Sequence, residues 1–386
     1  MIPYGRQDIS PDDIRSVLAV LESDWLTQGP SITEFEHMVS SACSSRFSVA
    51  CSNATAALHI ACKALGLGPG DTLWTSPNTF VATANAALYC GADVDFVDID
   101  LETGNMDVVC LERKLQIAAQ QGKLPRIVAP VHFAGLSCPM EPIQRLAQQY
   151  GFAILEDASH AIGATYRQQP VGSCAYSHIT VFSFHPVKII TTGEGGMALT
   201  NDETLYRKMT LLRSHGVTRD HEMLENRNEG GWYYEQQDLG FNYRMTDLQA
   251  ALGVSQMKRI DDFLQKRRLL VRRYREQLRF LPLDLPGEFA DSESAWHLFV
   301  VRLRPEETGK DRRGVFEALR AKDIGVNVHY IPVPMQPYYR ALGFRAEDYP
   351  AALTHYERAL SLPLHPGITQ EQQDYIITTL GGILRG

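Results

Sequence analysis

Short apolar runs alternate with amphipathic stretches along most of the chain. "SPDDIRSVLAVLES" opens the pattern. Ser10 fits an N-cap, Pro11 fits the first helical position, and Ile14, Val17, Leu18 and Leu21 have the spacing of one buried stripe. A second amphipathic helix is expected over roughly 31–43. Then "RFSVACS" leads into "NATAALHIACKALGLGPGD", "TLWTSP" into "NTFVATANAALYCGA", and "RIVAPVHFAG" into "MEPIQRLAQQYG". "DVDFVDID", "FAILEDAS", "HITVFSF" and "GMALTN" read as further strands. Strand, helix and strand with Gly and Pro punctuation predict an α/β fold built on a mainly parallel sheet covered on both faces.

Near residue 245 the pattern changes. "TDLQAALGVSQMKRIDDFLQKRRLLVRRYREQLRF" reads as one long helix, with Lys266, Arg267, Arg268, Arg272, Arg273 and Arg275 expected on a solvated face. The last third reads strand ("AWHLFVVRL"), helix ("DRRGVFEALRAKD"), strand ("VNVHYIPV") and a final helix, for which Thr369 and Gln372 have capping-box spacing. Two domains are expected: a large one over 1–245 and a smaller α+β one over 246–386, with the N-terminal segment free to pack on the smaller.

Composition narrows the function. The 386 residues are 44% hydrophobic and 21% charged, ordinary for a globular chain. A net charge of −8 argues against general affinity for nucleic acid. No apolar run is long enough to span a membrane, and "MIPYGRQDISPDD" lacks the basic-then-apolar pattern of a secretion signal. Seven scattered cysteines without a C-x-x-C pair suggest reduced thiols in a cytoplasmic protein rather than a disulfide frame or zinc site. The histidines do not fall at metal-ligand spacings, so no metal is expected.

Three features of the large domain carry candidate chemistry. In "FSVACSNATAAL" a strand runs into a helix that opens with Ala54, Thr55 and Ala56; its free backbone N–H groups could hold a phosphate. In "FAILEDASHAIG", Asp157 ends an apolar strand, at the sheet edge where ligands bind in open parallel sheets. A carboxylate there is also a common helix cap. In "SFHPVKIITTGEGG", Lys188 follows the strand "ITVFSF" and can reach the same edge; alone it also reads as a turn lysine. A phosphate cradle, a carboxylate and a lysine on one edge match pyridoxal phosphate, which needs an anchor, an acid for its ring nitrogen and an amine for a Schiff base. "GLGPGD" follows a helix and lacks dinucleotide-loop spacing, and no Walker loop is present.

These residues also carry a family resemblance. "WLTQGP", "SNATAAL", "TSPNTFVATANAALYCGA", "EDASHAIGA", "FSFHPVKIITTGEGGMALTND", "GFNYRMTDLQAALGVSQ" and "HYIPV" resemble, nearly end to end, the nucleotide-sugar aminotransferases of the DegT/StrS type, within the fold-type I pyridoxal-phosphate enzymes. "YGRQDI", "SFHPVK", "ITTGEGG" and "HYIPV" are most similar to the aminotransferases of pseudaminic acid synthesis. The resemblance implies that Lys188 forms the Schiff base and shuttles a proton, and that Asp157 pairs with the ring nitrogen. His160 would touch the ring or its 3-oxygen, and Phe80 would stack on the ring face. Ala54, Thr55 and Ser183 would bind the phosphate, with Asn242 reaching it from the partner subunit of a homodimer. Substrate contacts are expected from Tyr4, from Asp24, Trp25, Leu26 and Thr27, from His185, and from His329, Tyr330, Ile331 and Pro332. Ala54, Ser183 and Asn242 are expected to serve the substrate too. The expected reaction moves an amino group from L-glutamate, leaving 2-oxoglutarate, to C4 of a UDP-linked 4-keto-6-deoxy-N-acetylhexosamine. The alternatives are another nucleotide-linked 3- or 4-ketosugar, or a non-catalytic sugar-nucleotide binder. Lys188 argues against the sugar 3-dehydratases, which resemble this chain but carry histidine at that position.

Overall fold

The computed structural model describes residues 1–385. Seven strands form the central sheet: β1 (Phe47–Cys51), β2 (Thr72–Thr75), β3 (Asp93–Phe96), β4 (Ile127–Ala129), β5 (Ala153–Asp157), β6 (Ile179–Ser183) and β7 (Gly196–Thr200). Their order is β1-β7-β6-β5-β4-β2-β3. Only β7 runs against its neighbours β1 and β6; the other pairings are parallel. Successive strand residues face opposite ways and feed two cores. Leu73, Ile127 and Leu155 join one with helices α3 (Ala54–Ala64) and α4 (Val81–Tyr89). Trp74, Val128 and Ile154 join the other with α5 (Val108–Gln121) and α6 (Met140–Tyr150). Burial on both faces explains why these strands read as near-continuous apolar runs.

The first helix, α1 (Pro11–Leu21), starts where expected, with a complete capping box between Ser10 and Asp13; such a cap is worth about 1 kcal/mol. Its buried face differs from the expected one. Ile14, Leu18 and Leu21 are 55%, 48% and 53% exposed, whereas Asp13 and Val20 are buried. Asp13 turns inward because Arg259 Nη2 and Gln256 Nε2 donate to its Oδ2 at 2.6 and 2.8 Å. A buried carboxylate demands such partners, and meeting them rotates the apolar stripe outward.

The long helix expected from 246 onward is two helices, α8 (Asp247–Met257) and α9 (Ile260–Leu278), with α7 (Glu203–Arg213) and α2 (Pro30–Cys43) preceding them. The break lies at Arg259, whose φ of −113° and ψ of 6° leave the helix. There its guanidinium reaches Asp8 Oδ1 at 2.7 Å as well as Asp13. The basic cluster is not simply a solvated face. Lys266, Arg268, Arg273 and Arg275 pair with Asp262, Glu293, Asp374 and Glu288. Arg267 is 1% exposed, and its Nη1 donates to the carbonyls of Trp296, His297 and Leu364 at 3.1–3.2 Å. Burial pushes its pKa down to about 10.

Helix α8 packs against α1 and α2; a Cβ on Gly253 would stand 2.7 Å from the Phe35 ring. Leu264 still joins the core of the large unit, while Val271 joins the C-terminal core. Helix α9 thus runs from one core to the other. The C-terminal unit holds a three-stranded antiparallel sheet, β8 (Leu283–Asp284), β9 (Phe299–Leu303) and β10 (Ala359–Leu362), in that order. Helices Arg312–Arg320 and Gln370–Arg385 cover it, the latter behind the expected Thr369–Gln372 capping box. Ile2 pairs with Ile324, so the first residues lie on this unit. "VNVHYIPV" is not a strand: beyond one bridge, Asn327 to Ser361, it makes no ladder. Its residues instead turn toward the large unit, where Asn78 Oδ1 accepts from Tyr330 N at 3.1 Å and Pro77 O from Val333 N at 2.9 Å.

Candidate active site

The carboxyl ends of β5 and β6 and the N-terminus of α3 surround one cleft with about 2130 Å³ of empty space, including its open mouth. Tyr4, Ala54, Thr55, Phe80, Asp157, His160, Ser183, His185, Lys188, His329 and Tyr330 all line it. Eleven sequence-separated candidates thus meet at the edge where a parallel sheet presents ligands.

Asp157 ends β5, and no α-helix follows directly for it to cap. Thr83 Oγ1 donates to its Oδ2 at 2.6 Å and Ser159 N to its Oδ1 at 3.1 Å. Thr83 belongs to α4 and lies 3.0 Å from Thr79 Oγ1 one turn back. These donors hold the buried carboxylate in place with its charge facing the cleft.

Lys188 sits in the loop between β6 and β7. That loop is closed on itself: Phe184 N donates to Gly195 O at 2.9 Å, Thr192 N to Phe184 O at 3.0 Å, and Thr191 Oγ1 to Phe184 O at 3.0 Å. Loss of hydration pushes the Lys188 pKa down to about 8, while the charge of Asp157 opposes the fall. An amine in that range supplies a neutral lone pair near physiological pH. Gly196, the last glycine of this segment, has a packing reason. A Cβ on Gly196 would lie 2.5 Å from Ala54 N, so β7 can pass directly beneath the start of α3 only as glycine.

Asn53 caps α3: its Oδ1 accepts from Ala56 N at 2.9 Å. The cap leaves the backbone N–H groups of Ala54 and Thr55, both on the cleft wall, for an external anion. Ser183 lines the same cleft. The donor set fits pyridoxal phosphate: N–H groups for the phosphate, a fixed carboxylate for the ring nitrogen, and an amine of lowered pKa for the reactive carbon.

The remaining expected residues divide. His160 is buried, with Ala134 N donating to Nδ1 at 3.2 Å and Nε2 lying 3.0 Å from Tyr330 Oη. Phe80 is 60% exposed and lies at the cleft wall. His329 binds Ser361 Oγ through Nδ1 at 2.7 Å, and burial, Lys188 and His355 push its pKa down to about 3. Burial lowers the His185 pKa, with Lys188 adding to the fall and Glu194 opposing it. Asp24, Trp25, Leu26 and Thr27 are exposed and outside this cleft, as are Ile331 and Asn242; Pro332 is buried outside it. Tyr243, next to Asn242, lines the cleft instead. The sequence reading missed Thr83, Ser159 and His297. Thr83 carries one weak signal, its four-residue spacing from Thr79, which lies just ahead of the helix entering the site.

Among the described residues no group of three or more His, Cys, Asp or Glu is arranged to hold a metal ion, and no helix is long and apolar enough to cross a membrane.

Comparison with known proteins agrees with this geometry. A model of the DegT/DnrJ/EryC1/StrS aminotransferase family matches residues 7–381. The spore coat polysaccharide biosynthesis protein SpsC of Bacillus subtilis is 40% identical over 390 residues, covering 100% of this chain and 97% of that protein. Helicobacter pylori PseC, an aminotransferase involved in the biosynthesis of pseudoaminic acid, aligns with a TM-score of 0.91 at 29% identity over 99% of both chains. Spr1654 of Streptococcus pneumoniae, described as a sugar aminotransferase, aligns in its PMP form with a TM-score of 0.89 at 30% identity over 99% of both chains. Its PLP form aligns at 0.88 and 29%, over 99% of this chain and 98% of that one. The chain belongs to the DegT/DnrJ/EryC1/StrS aminotransferase family and is a pyridoxal-phosphate-dependent sugar aminotransferase.

Proposed function

We propose that the chain transfers an amino group from L-glutamate to C4 of a UDP-linked 4-keto-6-deoxy-N-acetylhexosamine, on the route to pseudaminic acid. The observation that carries this reading is the likeness to PseC across 99% of both chains. The cleft position of Tyr4, His185, His329 and Tyr330, which belong to the segments "YGRQDI", "SFHPVK" and "HYIPV", supports it. A second reading, another nucleotide-linked ketosugar, draws on the higher identity to SpsC, whose name refers to spore coat polysaccharide. A non-catalytic binder is disfavoured by the retention of Lys188, Asp157 and the α3 cradle in one cleft. Seven cysteines without a disulfide suit a cytoplasmic setting.

When bound, the cofactor ring accepts the electrons released at the carbon that exchanges nitrogen. The residues do the rest. Lys188 Nζ would hold the cofactor and move the proton at the reacting carbon. Asp157 would keep the ring nitrogen protonated. The Ala54 and Thr55 N–H groups and Ser183 would hold the phosphate, Phe80 would cover the ring, and His185 and His329 would contact the sugar.

A second copy of the chain is part of this reading. Among the described residues no arginine lines the cleft, although a sugar diphosphate and a dicarboxylic donor both need cations. Ile14, Leu18, Leu21, Trp25 and Leu26 are each at least 45% exposed, an apolar series suited to an interface. Asn242 and the stretch Asp24 to Thr27, outside their own cleft, would then serve the neighbour's. Mixed dimers of Lys188→Ala and Asn242→Ala chains hold one site with both residues intact. They should regain activity that neither parent has; no recovery after verified subunit exchange would place each site within one chain.

The substrate assignment is tested with a panel of keto sugars, the product position being read by NMR. Glutamate-dependent amination at C4 of UDP-linked 4-keto-6-deoxy-N-acetylaltrosamine is expected. The gluco-configured epimer should turn over about two orders of magnitude more slowly, since a misplaced carbonyl costs that much. Amination at C3, or preference for a dTDP sugar without the acetamido group, would favour the second reading.

A further inference from the structure

The exposed turn that carries Trp25 and Leu26 is held by one residue far off in the chain. Asp247 N donates to Leu26 O at 3.1 Å, and Asp247 Oδ1 accepts from Gly29 N at 2.9 Å. The turn 26–29 is therefore fastened to Asp247 at both ends. The same carboxylate continues into α2. Its Oδ2 accepts from Ser31 N at 3.1 Å, and its Oδ1 lies 3.4 Å from Ile32 N. Gly29, at the N-cap position of α2, has no side chain to offer, and Asp247 supplies the missing acceptor from 218 residues away. Asp247 is 1% exposed and is itself the first residue of α8, so the N-termini of α2 and α8 both favour its charge.

Gly29 suits this arrangement for a reason of space. Its φ of −100° and ψ of −166° are open to any residue. A Cβ there, however, would strike the Asp247 carboxylate and would lie 2.5 Å from Trp25 Cβ. The turn closes on the carboxylate only as glycine.

Asn242 stands just ahead of Asp247 and is fixed to the body of the chain. It bridges to Ser214, and Tyr243 N donates to Arg213 O at 3.0 Å. Trp25, Leu26, Thr27 and Asn242 are all exposed, and none lines the cleft of its own chain. Asp247 joins them into one outward-facing unit. We propose that Asp247 is a positioning residue, which holds the turn 24–27 in register with Asn242 so that both enter the cleft of a partner subunit together and meet the sugar nucleotide there. This role rests on the shared-site reading above and goes beyond it, because a buried carboxylate in each chain then governs substrate binding in the other.

Asp247→Ala leaves the N–H groups of Gly29, Ser31 and Ile32 without their acceptor and frees the turn. The substrate must then order the turn as it binds, so KM for the keto sugar selected by the panel above should rise about tenfold while kcat changes much less. Gly29→Ala keeps the carboxylate but blocks its seat. It should give the same rise, and it carries the test if Asp247→Ala does not fold. Subunit exchange with Lys188→Ala chains in excess then makes a site that has the lysine of the Asp247→Ala chain and the intact turn of its neighbour. That site should show the wild-type KM. A side chain that merely stabilised its own chain would leave the defect beside the working lysine, so a KM that stays raised would overturn the proposal, as would an unchanged KM in both variants. The Asn242→Ala exchange described above runs beside it. Recovery there with a raised KM here would overturn the role of Asp247 and leave the shared site standing; recovery in neither would overturn both.

Discussion

Lys188→Ala should still take up pyridoxal phosphate, reversibly, but complete no steady turnover. Removing the residue that bonds covalently to the reacting group in other enzymes costs on the order of 10⁶-fold, and a comparable loss is expected here. The variant should still bind pyridoxal phosphate, because the phosphate cradle comes from the backbone of α3 and the ring-nitrogen contact from Asp157; neither involves residue 188. The bound cofactor should dialyse out of the variant and should stay with the intact protein. A related pH effect follows from the wild-type amine. With a pKa near 8, Lys188 is mostly protonated at pH 7 and mostly neutral at pH 9. Only the neutral form has a lone pair, so the rate of cofactor capture by cofactor-free protein should climb through this range and level off above it. Stopped-flow absorbance measures that rate. Near-normal turnover by Lys188→Ala would remove the lysine from the mechanism.

Asp157→Asn should cost about 3–5 kcal/mol of barrier lowering, a fall of roughly two to four orders of magnitude in kcat/KM. The substitution nearly preserves shape. An amide oxygen still accepts from Ser159 N, and Thr83 can accept from the new NH₂ while donating to Thr79, 3.0 Å away. Fold and cofactor binding should survive. What disappears is the negative charge that keeps the ring nitrogen protonated, and with it the ring's capacity to take up electrons. Steady-state kinetics beside a thermal melt separates the two effects: a large kinetic loss with an unchanged melt is expected. Turnover within about tenfold of wild type would mean that another group protonates the ring.

The parts of this fold legible in the sequence are those set by local rules. The strands of the central sheet are buried on both faces, and runs such as "ITVFS" and "GMALT" show it directly. Asp157 and Lys188 were legible because strand ends at a parallel edge are where chemistry sits. What escaped depends on long-range partners. Periodicity on α1 placed Ile14, Leu18 and Leu21 inward, but Asp13 is drawn in by Arg259, 246 residues away. The same arginine breaks what looks like one helix into α8 and α9. "VNVHYIPV" has strand-like composition, yet its backbone groups go to Asn78 and Pro77 rather than to a ladder. Arg267 looks like one more cation in a basic run, and only the three carbonyls that converge on it explain its burial. The hydrogen-bond partners of His160 could not be read from its place after Asp157, because they come from Ala134 and Tyr330, far off in the chain.

The central claim is that Lys188 is the residue to which the cofactor is bonded. Borohydride reduction of the pyridoxal-phosphate-loaded protein, followed by proteolysis and peptide mass spectrometry, tests it most directly. Reduction should abolish the visible band and leave one cofactor-sized mass increment on the peptide that contains Lys188. The same increment on the peptide of Lys63 or Lys258, or on none, would contradict it.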